Sequence, residues 1–323
     1  MKILSTIPYA LAFCAALAVL SGCGAPATPS VSWMPMMGRN ATLIVHPDHG
    51  PSWMAPEAKT RDLLYISDVG TNDVYVYSYS QGKLVGTLKG FSRPSGLCVD
   101  AAGDVFVTEL NAFKVREYAH GGTRPLATLS DPGEDPGDCS IDPTTGNLAV
   151  SNVSTPSSDP GDVVIYKNAR GIATIYRDPE ISYDEFCGYD NQGNLYVDGM
   201  KSGAFQFAEL PSGKTTFTNI TLNESFSYGG AAQWDGKYMA VGDYESKVIY
   251  QFSISGEYGT AVGSTHLQDS SFAIGFWIQG STVVGPNDDS ANVMFWKYPA
   301  GGSHTKTIGG LRYPWGSTVS LAK

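Results

Sequence analysis

Six polar residues recur at near-constant spacing along the 323-residue chain: Asp68, Glu109, Asn152, Asp198, Asp243 and Asn287. Each closes a short apolar run, as Glu109 does after Val105-Phe106-Val107-Thr108. Carboxylates and amides gathered round one opening could hold Ca²⁺ or another hard cation through oxygen. A local role competes with that one. A short Asp or Asn at a strand end accepts hydrogen bonds from turn amides and fixes a hairpin, and Gly70 and Asn72 after Asp68 fit it. Asp100, Asp142 and Asp190 suit the same kind of turn.

A second group lies between these runs. Asp131, Glu134, Asp135 and Asp138 crowd one connection, and Arg177, Asp178, Glu180, Tyr183, Asp184, Glu185 and Phe186 fill the next. Glu224, Phe226 and Tyr228 follow, then Arg312, Tyr313 and Trp315 near the C-terminus. Aromatic faces beside carboxylates suit sugars, cationic peptides or amines. From them come the candidate ligand contacts Asp135, Asp138, Tyr183, Glu185, Phe226, Tyr228, Tyr313 and Trp315. Solvated loops with aromatics covering strand ends are the plainer alternative. No Gly-x-Ser-x-Gly elbow, His-Glu-x-x-His or Walker loop is present. His120 and His304 sit in Gly-rich turns.

These residues are positioned by a repeat. Gly103-Asp104 opens a strand, and Gly146-Asn147, Gly193-Asn194, Gly236-Lys237 and Gly280-Ser281 echo it at steps of 43, 47, 43 and 44 residues. Leu64-Tyr65-Ile66-Ser67-Asp68 adds an earlier copy, making six units. Each carries four short strand signals, a to d, and strand c ends in an aromatic every time: Tyr77, Tyr118, Tyr166, Phe207, Phe252 and Tyr298. Strands such as Val74-Tyr75-Val76-Tyr77 are apolar on both faces, so each sheet is packed between two others. Long helical periodicity is missing outside the first residues. The pattern predicts an all-β, six-bladed β-propeller with four antiparallel strands per blade. The first unit lacks a strand a, and Pro314 to Ser320 aligns with Pro94 to Asp100, so the C-terminal strand is expected to close blade 1. In blades 5 and 6, Gln233 and Trp277 are read at the place of the inner-strand Asp. The b–c turns and d–a loops then share one face, where a ligand is expected.

Asp68 to Tyr77, and Pro94 to Asp100 leading into Gly103 to Val107, resemble the NHL repeat, over about residues 62 to 321. That resemblance implies a propeller, and NHL-type propellers include binding modules, signalling domains and enzymes. The strand-b polar ring is also similar to that of gluconolactonase-like propellers. Their chemistry is metal-assisted lactone or ester hydrolysis, with ligands near the channel mouth.

The N-terminus reads as a targeting segment. Lys2 precedes an apolar stretch, Tyr9 to Leu20, of only 12 residues, too short to span a bilayer. Leu20-Ser21-Gly22-Cys23 resembles the bacterial lipobox, which implies a lipid on Cys23; a plain secretory signal is the alternative. The expected organisation is a signal peptide over 1–22, a flexible tether over 23–32, a strap over 33–60 and the propeller over 61–323. The strap's Met36, Met37, His46 and His49 could bind copper; packing of its Trp and Met residues on the main domain is the simpler expectation. Cys98, Cys139 and Cys187 precede Asp100, Asp142 and Asp190 and are read as buried thiols that do not face each other, a disulfide or metal site being the alternative.

The formal charge is −10, which repels phosphate backbones and argues against nucleic acid as a partner. The expectation is a monomeric lipoprotein of the bacterial cell envelope, held by its lipid at the outer membrane or facing the periplasm. It would bind a protein, peptide or glycan, with no cofactor beyond Ca²⁺ or another divalent cation. The alternative is a metal-dependent propeller hydrolase or lactonase.

Overall fold

The structure is a computed structural model and describes residues 50–131, 135–153, 161–271 and 274–323, apart from the Asp184 side chain. The signal, the tether, Cys23, most of the strap, His46, His49 and Glu134 lie outside the described residues. Among the described residues no helix is long and apolar enough to cross a membrane.

Six antiparallel sheets follow one another along the chain. Blade 2 shows the plan: strand a, Pro94–Val99; b, Val105–Glu109; c, Lys114–Tyr118; d, Pro125–Ser130. Strand a lies at the axis and strand d at the rim. Strand b is apolar on both faces because neighbouring blades cover both, and all six residues of Leu63–Asp68 in blade 1 are buried. Aliphatic and aromatic clusters fill the space between successive blades, such as Phe106, Val115, Leu148 and Val164 between blades 2 and 3. The six-bladed propeller expected from the repeat is the fold observed.

Both ends of the described chain meet in blade 1. Its inner strand is the C-terminal Pro314–Ser320, paired with Leu63–Asp68, and every residue of it is buried. Its rim gains Trp53–Met54, paired with Leu84–Leu88. Met54 lies so close over Gly86 that any Cβ there would collide with its sulfur. At this described end of the strap Met54 packs on the domain, while Trp53 pairs through its backbone and leaves its ring exposed.

Two details differ from the sequence reading. The blade 5 residue that matches Asp100 is Asp235, not Gln233: Ala232 pairs with Val241 as Leu97 pairs with Val107. Asp235 accepts from the amides of Lys237 (2.8 Å) and Tyr238 (2.7 Å), as Asp100 does from Ala102 and Asp104 (both 2.8 Å). Gly236 directly follows its Asp, whereas Gly103 stands three residues after Asp100, so the spacing from the glycine points two residues early. In blade 6 the match to Asp100 is Gln279, since Trp277 pairs with Val284 as Cys98 pairs with Phe106.

The second correction concerns the thiols. Cys98 and Cys139 form a disulfide, with Cα atoms 5.6 Å apart, and Cys187 is free and buried. Cys98 stands opposite Phe106, whereas Cys139 stands opposite Val150, the counterpart of Val107. The two are therefore offset by one residue in the repeat. One residue along a strand turns the side chain to the other face, so Cys98 looks forward to blade 3 while Cys139 looks back to blade 2.

Candidate functional site

All six strand-b residues are buried, and they tie down the inner strands or the connections that lead into them. Five share one position of the repeat, but Asp198 stands one residue earlier, level with Thr108 and Ser151, and Gly199 takes the ring position in blade 4. Asp68 accepts from Gly70 (2.9 Å), Arg312 (2.7 Å) and Tyr313 (2.9 Å) amides. Glu109 accepts from the Ser92 amide (2.8 Å) and pairs with Arg116 at 2.5 Å. Burial still holds the Glu109 carboxyl above its usual range, although Ser92, Arg116 and Lys114 pull the other way. Asp198 accepts from Phe186 (3.0 Å), and Asp243 from Ser227 (3.3 Å) and Ser246 (3.4 Å). Asn152 donates to Asp162 (2.9 Å) and Asp131 (3.3 Å), and Asn287 accepts from the Ser270 hydroxyl (2.6 Å). Among the described residues, no group of three or more His, Cys, Asp or Glu side chains is placed to hold a metal ion.

The loop residues sort into three. The first set forms a tyrosine–carboxylate chain on the side of the d–a loops. The Tyr228 hydroxyl donates to Glu185 Oε1 at 2.7 Å, and the rings of Tyr228 and Tyr244 lie 5.8 Å apart. Asp288 and Tyr313 both act on Tyr244, and Tyr313 donates to Asp288 and stacks on Trp315 at 6.4 Å. The charge of Asp135 and the Tyr313 ring both face Arg93. Glu185 is fully enclosed: burial pushes its carboxyl up to about 8 against the Tyr228 bond, and Oε2 has no hydrogen-bond partner. Phe226 stands apart. Half-buried, it stacks on Phe205 at 4.2 Å against the core cluster between blades 4 and 5, and its job there is packing. Tyr183 is exposed at the start of its strand, opposite Met200.

The third set lines an axial cavity of about 290 Å³ to which all six inner strands contribute. Asp138 and Trp315 belong to it, at the d–a end; it runs on past Phe276 and Trp277, then Ile141, Tyr189 and Trp234, to Pro143 and Asn191 at the a–b turns. Its walls are tight because neighbouring inner strands touch. A Cβ on Gly96 would collide with Asp138, and one on Gly188 with the Ala232 carbonyl. Burial pushes the Asp138 carboxyl up to about 7, against bonds from the Cys139 and Cys187 amides. Asp190, also on the lining, is already occupied by the amides of Gln192 and Asn194 and the Asn194 side chain (2.8–2.9 Å).

Sequence reasoning missed three hydroxyls that hold the ring together. Ser67 bonds the Ser95 carbonyl (2.5 Å), Thr108 the Gly137 carbonyl (3.2 Å) and Ser151 the Glu185 carbonyl (3.0 Å), each reaching the next blade's inner strand. All three directly precede the strand-b polar residue, so the signal was a Ser/Thr repeating beside the Asp/Glu/Asn. By register, blades 4 to 6 place Asp198, Gly242 and Pro286 there. Amide bonds, Ala231 to Ile274 O (2.7 Å) and Ser317 to Gly275 O (3.1 Å), join the inner strands of blades 5, 6 and 1. Arg93, Tyr244 and Asp288 were also missed, because nothing in their spacing marks them.

The sequence matches no protein-family profile and no curated protein. Solved structures do resemble the fold. A chain of the nidogen/laminin complex superposes with a TM-score of 0.68 at 10% identity, covering 81% of this chain and 99% of that one. A streptogramin B lyase gives a TM-score of 0.52 at 12% identity, covering 77% of this chain and 74% of the other. At such identities the likeness is one of architecture, and it places the chain among the β-propellers.

Proposed function

We propose that the protein is a non-enzymatic binding module of the cell envelope, anchored through lipid on Cys23, that takes a small ligand or a ligand side chain on the propeller axis. The axial cavity carries this reading. It has apolar and aromatic walls, few polar groups and a size near the lower end of small-molecule sites. The Cys98–Cys139 disulfide supports an oxidising compartment, as export to the envelope would supply. The structural neighbours come from a protein complex and from a lyase, so the architecture serves both binding and chemistry.

The hydrolase alternative draws on the strand-b ring. Every member of that ring already bonds a loop or strand partner, which weakens it as a ligand set. The test is metabolic labelling with palmitate together with crosslinking in intact cells. The reading expects label on the wild type and none on Cys23→Ala, and a crosslink to a photoreactive residue placed at Trp234. Export without label refutes the anchor. Turnover of a lactone by the purified protein, lost in Asp68→Asn, would favour the hydrolase.

A further inference from the structure

The inner strands meet in a ring of six residues at one level of the axis. Register places Gly316, Gly96, Asp138, Phe186 and Ala231 there, each next to the residue opposite the third position from the end of strand b. Gly275 joins them by bridging directly to Gly316. Five of the six carry no polar side chain. Asp138 puts a carboxylate where close approach of backbones is the rule, and Gly96 must be glycine to admit it.

Closing the ring does not need this carboxylate. The hydroxyls and amides described above join the inner strands, and Asp138 adds only a long bond from the Cys187 amide (3.5 Å) and one from Cys139. A carboxylate has about four lone-pair positions, so capacity is left on the side that lines the cavity. Among the described residues no lysine or arginine pairs with it. A half-buried carboxylate without a counter-charge is poorly solvated, and a cationic guest would supply the missing partner. Beyond Asp138 the cavity is walled first by Phe276 and Trp277 and then, nearer the a–b turns, by Ile141, Tyr189 and Trp234. Indole and phenol faces attract cations and also cover apolar bodies.

We propose that the axial cavity binds a small organic cation, a protonated amine or quaternary ammonium on an apolar body. It enters past Trp234 and Trp277 from the side of the a–b turns and carries its charge to Asp138. This rests on the binding-module reading and narrows its ligand class.

The test is calorimetric titration of the purified full chain with 2-phenylethylamine, phenyltrimethylammonium and the neutral isostere 2-phenylethanol. Both cations should bind at least about tenfold more tightly than the alcohol. Asp138→Asn, which keeps the shape and removes the charge, should erase that preference while the alcohol binds as before. Equal affinity for amine and alcohol in the wild type overturns the cation but leaves a binding cavity standing. Unchanged amine binding in a folded Asp138→Asn protein overturns the role of Asp138. No binding of any probe at millimolar concentration overturns both this inference and the small-ligand reading. If Asp138→Asn does not fold, the amine-to-alcohol ratio of the wild type decides alone.

Discussion

Cys98 and Cys139 lie on neighbouring inner strands with their Cα atoms 5.6 Å apart and their sulfurs joined, 41 residues separated in sequence. The bond crosses the boundary between blades 2 and 3 at the axis, where the inner strands are closest. Its partner positions follow from one-residue phase within the repeat, and so does the solitude of Cys187. In blade 4 Cys187 stands opposite Val197, where Cys139 stands opposite Val150. The residue of blade 3 that corresponds to Cys98 is Ser140, opposite Ala149.

Removing the staple with Cys98→Ser and Cys139→Ser should lower stability by about 3–4 kcal/mol, from the loop entropy of a crosslink of this span. Urea unfolding of the double variant against the oxidised wild type measures it. An unchanged midpoint would mean that the rest of the ring already restrains these strands.

Ser140→Cys should form a second disulfide, with Cys187, since it recreates between blades 3 and 4 the phase seen between blades 2 and 3. The Ser140 hydroxyl already reaches that strand, accepting from the Tyr189 amide at 3.0 Å. Mass spectrometry of unreduced peptides should show the 140–187 link and no free thiol at 187.

Glu185 gives the fold a pH dependence. Burial raises its carboxyl to about 8, whereas an unfolded Glu ionises near 4.5. Between those values the folded state holds a proton that the unfolded state has lost. Stability is then greatest at the acid side of the window and falls as pH rises toward 8, by up to about 1.4 kcal/mol per pH unit from this group. Glu185→Gln, which keeps an acceptor for Tyr228, should flatten the slope and melt higher than the wild type at pH above 7. Parallel melting curves for the two proteins across the window would refute the assignment.

Asp68 separates turn-holding from metal-holding. Asp68→Ala strands three loop amides, including those of Arg312 and Tyr313 that lead into the closing strand. A loss of about 2–4 kcal/mol is expected from bonds to a charged acceptor, the same with calcium or with chelator. A wild-type melting temperature that climbs with calcium, and an Asp68→Ala one that does not, would restore the metal reading.

The architecture was legible because it depends on what repeats. Two-faced apolar strands, the aromatic closing strand c and the spare Pro314–Ser320 each report a blade or its closure. The d–a side was legible only in composition. Tyr228 and Glu185 were both singled out, yet their bond depends on loops of unequal length, which no periodicity encodes. Phe226 shared their composition and went to the core, because Phe205 and Phe252 offer it a packing surface. The disulfide was written in the sequence as the unequal spacing of Cys98 and Cys139 from their aspartates. Treating the positions as equivalent hid it.

Blade 1 is finished by residues made about 250 positions apart, Leu63–Asp68 near the beginning and Pro314–Ser320 at the very end. During synthesis, therefore, its inner edge waits. Leu63–Ile66 lack their inner-strand partner, and the Ser67 hydroxyl lacks the Gly316 amide, until Pro314–Ser320 is made. Blades 2 to 5 can assemble in order behind it, but the circle shuts only once Pro314–Ser320 has been made. Long-range pairing of this kind is slow and leaves a sticky edge meanwhile. The nascent chain thus stays open while blades 1 to 6 are made, and a holdase that covers Leu63–Asp68 would act on the segment most in need of a chaperone.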